Sequence, residues 1–380
     1  MKVNFNERYQ PRNQLRYIEN ALTSEHLASD GRYAAHSGKI LGRKLNAEGI
    51  LLTTSATAAL ELALSLLHLR PGDEVILPSY NFPSAANAVL RCGGQPVLCD
   101  IEGVTKNLDP ESVAAHITRK TRAIIPAHYG GISCEMDLLV RLASENHLVI
   151  IEDAAQALFS SYRSVPLGTL GEYGVYSFHY TKNFSCGEGG AFLCKVQETL
   201  LEAEEIRDNG TDRARFFRKE SKFYSWTRPG TNHVLSEACS ALLYSQILES
   251  KRILSRRKAI AEVYQNALRQ GSDTIFQKLQ PMKVPVFMTP NYHTFYVDCA
   301  SLADRESLRL FLLKEGIDAR SHYIPLHLSV YGKKLGYSPA QFPVSTSAAE
   351  RILRLPLHTQ MTEKDAEFVA ERVIRWAKKR

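Results

Sequence analysis

The chain has 380 residues, of which 44% are hydrophobic and 23% charged, with 22 glycines and 16 prolines; this is ordinary globular usage for about two packed domains and excludes collagen-like, coiled-coil and disordered classes. A net charge of +7 leaves room for an anionic small-molecule partner, but the basic clusters Lys251, Arg252, Arg256, Arg257, Lys258 and Arg372, Arg375, Lys378, Lys379, Arg380 sit in helical periodicity without interleaved aromatics, so they read as solvated faces and no nucleic-acid partner is expected. No run of about 18 apolar residues predicts a membrane span, no apolar stretch follows Lys2 to suggest a cleaved leader, and seven cysteines without a tight pair fit reduced thiols in a cytoplasm.

From Ile50 the pattern alternates short β-branched runs with helical periodicity, the signature of parallel strands joined by helices. Ile50 to Thr54 reads as a strand and Thr57 to Leu69 as a helix, its apolar face Leu60, Ala63, Leu64 and Leu67, stopped by Pro71 and Gly72. Glu74 to Leu77, Pro96 to Cys99, Arg122 to Pro126 and Leu148 to Glu152 follow as strands, separated by helices at Ser84 to Arg91, Pro110 to Ile117 and Glu135 to Asn146. Gly174 to His179 and Ala191 to Cys194 are strands joined by a glycine-rich turn, and one long helix is expected from Leu235 to Leu268. Three prolines between Gln280 and Pro290 suggest an interdomain crossing. The expected organisation is therefore a large α/β domain over 1–280 and a small α+β domain over 281–380, with strands at Tyr292 to Cys299 and Ile317 to Arg320 and helices at Asp304 to Gly316 and Thr362 to Lys378.

Two stretches carry chemistry. The apolar run from Leu148 ends abruptly in Glu152 and Asp153, and ligands of open α/β sheets sit beyond such carboxyl ends. The strand from Gly174 ends before Lys182, which precedes the turn Gly187, Glu188, Gly189, Gly190. A nucleotide-binding phosphate loop needs its lysine after the last glycine, so that motif is excluded. A lysine near a buried acid instead suits a Schiff base with an aldehyde cofactor, and pyridoxal phosphate requires an amine, a carboxylate for its ring nitrogen and a phosphate cradle. Ser55, Ala56 and Thr57, at the start of a helix, offer that cradle or an ordinary helix cap. Phe82 offers a stacking face or simple core packing. His322 and His327 are five apart with no acid or cysteine near them, which does not match metal-ligand spacing, so no metal is expected.

In order, Ser55-Ala56-Thr57, Pro78 to Phe82, His128-Tyr129-Gly130, Glu152 to Gln156, Ser177 to Asn183 and Gly187 to Gly190 resemble the nucleotide-sugar aminotransferases of the DegT and StrS family, over nearly the whole chain. Supporting stretches are Phe216 to Trp226, His322 to His327 and Arg354 to Leu357. The resemblance implies a fold-type I, pyridoxal-phosphate-dependent homodimer with a mostly parallel sheet. Within the family it is strongest to members that aminate a dTDP-linked 4-keto-6-deoxy sugar, with glutamate as donor, for surface polysaccharide synthesis. It further implies that Lys182 carries the cofactor, Asp153 pairs with the ring nitrogen, Gln156 lies by the ring oxygen and Phe82 stacks on the ring. Ser55, Ala56, Thr57 and Ser177 would hold the phosphate, together with Asn232 of the neighbouring subunit. Arg218, Lys222, Trp226, His322, Tyr323 and His327 would meet the nucleotide sugar. Asn81, Ala56 and Val234 stand where threonine, glycine and arginine are usual, and Ala238, Cys239 and Ser240 replace a glutamine-containing run; loss of an arginine fork leaves the anchor of the amino-acid donor open. Rival readings are a sugar dehydratase on the same fold, which would carry histidine in place of Lys182, and a binding protein without turnover.

Overall fold

The computed structural model describes residues 1–269 and 278–378, so Lys379 and Arg380 of the C-terminal basic cluster lie outside the described residues. The strands expected from alternation form one central sheet: β1 (Gly49–Thr53), β2 (Glu74–Pro78), β3 (Gln95–Cys99), β4 (Thr121–Ile124) and β5 (Val149–Asp153), then, after the short β6 (Ser161–Tyr162) and β7 (Val165–Pro166), β8 (Tyr173–Ser177) and β9 (Gly190–Cys194). Their spatial order is β1-β9-β8-β5-β4-β2-β3. Only β9 runs against its neighbours β1 and β8; β2, β3, β4, β5 and β8 pair in parallel. Six strands therefore deliver their carboxyl ends to the same edge of the sheet, and the expected α/β architecture is observed.

Period-2 alternation splits the sheet's apolar side chains between two layers. Ile76, Ile150, Tyr176 and Leu193 pack on one side with Leu41, Leu139 and Leu243 from the helices Arg32–Leu45, Met136–Glu145 and Glu237–Leu248. Val75, Leu77, Ile151, Val175 and Phe192 pack on the other with Leu60, Ala63 and Val89 from the helices Ala56–Ser65 and Ser84–Arg91. A third cluster belongs to an antiparallel sheet of β10 (Leu279–Pro281), β12 (Phe295–Cys299) and β13 (Ile352–Leu355) against the helices Ser250–Arg269, Leu302–Lys314 and Glu363–Lys378. Between β10 and β12, β11 (Met288–Thr289) pairs with β6, so the proline-rich stretch expected to be aperiodic carries two short strands.

Two expectations need correction. The single helix from Leu235 to Leu268 is two helices, Glu237–Leu248 and Ser250–Arg269, broken at Glu249, whose backbone leaves the helical region at φ −95°, ψ 15°. Its carboxylate accepts from the Tyr9 hydroxyl and from the Arg12 amide at 3.2 Å, so a partner more than 200 residues away holds the break. Ile317 to Arg320 forms no strand; it makes single bridges, Ile317 to Val3 and Arg320 to Arg354.

Candidate active site

The carboxyl ends of β1, β2, β4, β5 and β8 open into a cleft of about 700 Å³, closed from the other side by residues near β12 and β13. Ser55, Ala56, Thr57, Phe82, Asp153, Gln156, Ser177, Lys182, His322 and Tyr323 all line it. At the end of β5 the pleat sends the two acids to opposite faces. Glu152 is fully buried and accepts the amides of Gly168, Leu170 and Gly171 at 2.5 to 2.8 Å and the His128 ring at 2.9 Å. It is committed to the fold. Asp153 faces the cleft and accepts the Ala155 amide at 3.1 Å. Burial pushes its carboxyl up, while the Ala155 amide and the Lys182 charge pull it back.

Lys182 follows β8 in a turn closed by its own amide donating to the His179 carbonyl at 2.9 Å. Burial pulls its ammonium down from 10.5 to about 8, opposed by Asp153 and aided by the Arg354 charge. Gly187 then reverses the chain at φ +90°, a region that only glycine enters freely. Gly190 lets β9 begin against the cradle: a Cβ there would lie 2.4 Å from the Ser55 carbonyl carbon and 2.5 Å from the Ala56 nitrogen.

The cradle is the N-terminus of the helix Ala56–Ser65. Ser55 is its cap, with extended backbone and Oγ accepting the Ala58 amide at 3.0 Å. The Ala56 and Thr57 amides have no intrahelical partner and point where an anion is favoured by the helix dipole. The Thr57 hydroxyl shares a hydrogen bond of 2.7 Å with Ser84, and Ser177 lies at the adjoining end of β8. Gln156 is fixed at both ends of its amide, donating to the Tyr323 hydroxyl at 2.6 Å and accepting the Gly130 amide at 2.7 Å. Tyr323 stacks on His322, ring centroids 3.7 Å apart, and stands 6.4 Å from Phe82, whose ring is 60% exposed.

The cleft also holds residues to which the sequence reading gave no role. Tyr80, Tyr129, Arg257, His293, Arg320 and Arg354 line it. Burial, reinforced by the charges of Lys182 and Arg354, keeps His293 and His322 far below their ordinary range, so both are neutral and the local field is positive. Arg354 stands in one of the stretches quoted above, yet nothing local marks it as facing a cleft.

Four residues expected to meet substrate lie outside this chain's own cleft, as does Asn232, which was expected to serve the neighbouring subunit. His327 is fully buried, its ring bonded to Ser79 at 2.6 Å and Thr346 at 3.0 Å; beyond Pro325 the loop turns inward, so His327 anchors the loop instead of meeting substrate. Arg218 is ion-paired at 2.8 Å to both Glu204 and Glu220 and lines a separate open groove of about 1400 Å³. Lys222 and Trp226 are exposed and do not line the cleft. Asn232 is exposed on a segment running beside Thr53 and Thr54, where Val234 bridges Thr53 and the Thr54 amide donates to the His233 carbonyl at 2.9 Å.

The residues present fit pyridoxal phosphate. An amine with a lowered pKa, a buried carboxylate on the same side of the sheet and a capped helix N-terminus opened by Gly190 converge on one cavity. Beside Asp153, the Asn81 side-chain nitrogen is buried and helps hold the Asp153 carboxyl down.

Comparison with known proteins gives the same answer. The chain is 31% identical over 340 residues to the spore coat polysaccharide biosynthesis protein SpsC of Bacillus subtilis, covering 87% of this chain and 85% of that protein. It is 26% identical over 349 residues to the GDP-perosamine synthase of Vibrio cholerae, covering 90% of each. A Streptococcus pneumoniae protein described as a sugar aminotransferase, in its PLP-form, superimposes with a TM-score of 0.92 at 26% identity, over all of this chain and 99% of that one. The model of the DegT/DnrJ/EryC1/StrS aminotransferase family matches residues 9–374, and the chain belongs to that family.

Proposed function

We propose that this chain is a pyridoxal-phosphate-dependent aminotransferase of fold-type I that moves an amino group from L-glutamate to a dTDP-linked 4-keto-6-deoxy sugar, giving a 4-amino-4,6-dideoxy sugar nucleotide. The observation that carries the reading is the meeting of Lys182, Asp153 and the Ser55 to Thr57 helix terminus in one cleft. The bound cofactor supplies an electron sink for the carbon that gains or loses the amine. Asp153 holds the proton on the ring nitrogen. Lys182, whose ammonium is pulled down by burial and so gives up its proton more readily, takes and returns the proton at the reacting carbon. Gln156, locked by Tyr323 and Gly130, positions the ring from its edge, and Phe82 covers a face from which water must be excluded. Neutral His322 and His293 add no further cation to the cleft.

The exposed aromatics Phe217, Phe223 and Trp226 support a homodimer, because such a cluster needs a cover and Asn232 lies on the same stretch of chain. In that assembly Asn232, Lys222 and Trp226 serve the partner's cleft. Seven thiols without a disulfide support a cytoplasmic setting. The nucleotide is tested by offering dTDP-, UDP- and GDP-linked 4-keto-6-deoxy sugars with glutamate and reading products by mass spectrometry. Amination of the dTDP sugar alone or fastest supports the assignment; preference for another nucleotide overturns it and leaves the aminotransferase reading standing.

A further inference from the structure

We propose that His293 determines sugar specificity, its ring nitrogen Nε2 accepting a hydrogen bond from the hydroxyl next to the keto carbon of the sugar, an inference that rests on the aminotransferase reading. The ring lines the cleft and is held by two asparagines, each of which can point only one way. Asn183, the residue after Lys182, directs its side-chain nitrogen at the Asn291 carbonyl, 2.8 Å away. A carbonyl only accepts, so Oδ1 of Asn183 is left to face Nδ1 of His293 at 3.0 Å, and Nδ1 carries the proton. Asn291 is fixed by the same logic. Its Nδ2 donates to the carbonyls of Gln156 and Leu158 at 2.9 and 3.0 Å, and its Oδ1 accepts the His293 amide at 3.0 Å. Both asparagines are buried, so water offers neither amide another partner. The fold therefore sets the histidine tautomer and leaves Nε2 as a lone pair. Among the described residues no hydrogen bond reaches that nitrogen.

An acceptor in this position selects its ligand. Glutamate has no spare hydrogen to offer, because both carboxylates only accept and its amine is taken up by the cofactor. The sugar has several. In a 4-keto-6-deoxy hexose, C5 carries only the ring oxygen and a methyl group besides its hydrogen, so the C3 hydroxyl is the one donor adjacent to the reacting carbon. Lys182 must reach that carbon, and His293 is bonded to the residue next to Lys182, which puts the acceptor at the same end of the cleft. Burial and the charges of Lys182 and Arg257 oppose a proton on Nε2, so the acceptor persists. A sugar without the hydroxyl leaves that acceptor shut away from water and unpaired, and the contact acts as a filter.

The test uses purified holoenzyme and follows each half-reaction in single turnovers by the absorbance of the bound cofactor. Enzyme charged with pyridoxamine phosphate is given the nucleotide-linked 4-keto-6-deoxy sugar that it prefers, and separately the matching 3-deoxy sugar, which lacks the C3 hydroxyl. The wild-type enzyme should react with the 3-deoxy sugar about 30-fold more slowly. His293→Phe keeps a ring without an acceptor; it should lose about 30-fold with the parent sugar and distinguish the two sugars by less than about threefold. Its half-reaction with L-glutamate should stay within about threefold of wild type. His293→Gln, which can return an acceptor, should recover part of the discrimination. A wild-type enzyme that converts both sugars equally fast overturns the proposal without any variant. So does a His293→Phe enzyme that discriminates as well as wild type, or one that loses equally in both half-reactions, which would mean that His293 acts through Lys182. A wild-type enzyme that no amino acid converts overturns the aminotransferase reading itself.

Discussion

The cleft and the segment from Arg213 to Asn232 contain equally distinctive residues but are held in different ways. In the cleft the partners come from distant parts of the chain: Gln156 donates to Tyr323, Arg257 donates to the carbonyls of Tyr292 and Leu357, and the His293 ring bonds Asn183 at 3.0 Å. In the segment the side-chain bonds reach no farther than the helix just before it, Arg213 to Asp208, Arg218 to Glu204 and Glu220, Ser225 to Asp212 and Arg228 to Glu202 and Glu205, while Phe223 and Trp226 are 80% and 76% exposed. A site fixed by long-range contacts is organised before ligand arrives. A segment tied only locally, with its apolar rings outward, depends on a further surface to complete it.

The sharpest way to break this comparison is within the cleft, where adjacent acids have opposite duties. Asp153→Asn should cost about a thousandfold or more in rate, since an amide cannot hold the proton on the ring nitrogen, and should leave the urea midpoint almost unchanged. Glu152→Ala strips three backbone amides and His128 of their shared acceptor and should lower stability by about 3 kcal/mol or more. Near-normal turnover in Asp153→Asn would show that the acids have been assigned the wrong way round.

Next in size is the segment itself. Lys182→Ala and Asn232→Ala chains, each poorly active alone, should on mixing recover about a quarter of wild-type activity, because half the dimers are mixed and each carries one intact site. Recovery of nothing, with subunit exchange verified by mass, would mean that Asn232 does not serve a partner's cleft.

The smallest effect concerns the cofactor-free protein. The folded-state pKa of Lys182, about 8, lies below its ordinary 10.5. The unfolded chain therefore binds more protons between those values, so stability rises with pH through that window and the full penalty is present below about 8. Lys182→Met should then raise the melting temperature at pH 7, with the gain fading toward pH 10.5. A gain independent of pH would remove desolvation of the ammonium as its cause.

Much of this arrangement was legible in the sequence because it depends on local pattern. The helix Ser84–Arg91 has the bounds that its periodicity predicts, and the apolar run ending at Asp153 marks a sheet edge. Which acid faces the cleft follows only once the pleat and the amides of Gly168, Leu170 and Gly171 are known. Arg354 sits in β13, more than 170 residues from Lys182, and no spacing rule brings them together. His327 was misread because it shares a loop with Tyr323, and the inward turn that buries it is set by Ser79 and Thr346. The break at Glu249 was invisible for the same reason, being held by Tyr9 and Arg12.

The most direct measurement is borohydride reduction of the purified, visibly coloured protein followed by peptide mapping. A pyridoxyl group on Lys182 alone is the expected result, with no label and no visible absorbance in Lys182→Ala. A label on any other lysine, or a colourless protein that takes up no pyridoxal phosphate, would contradict it.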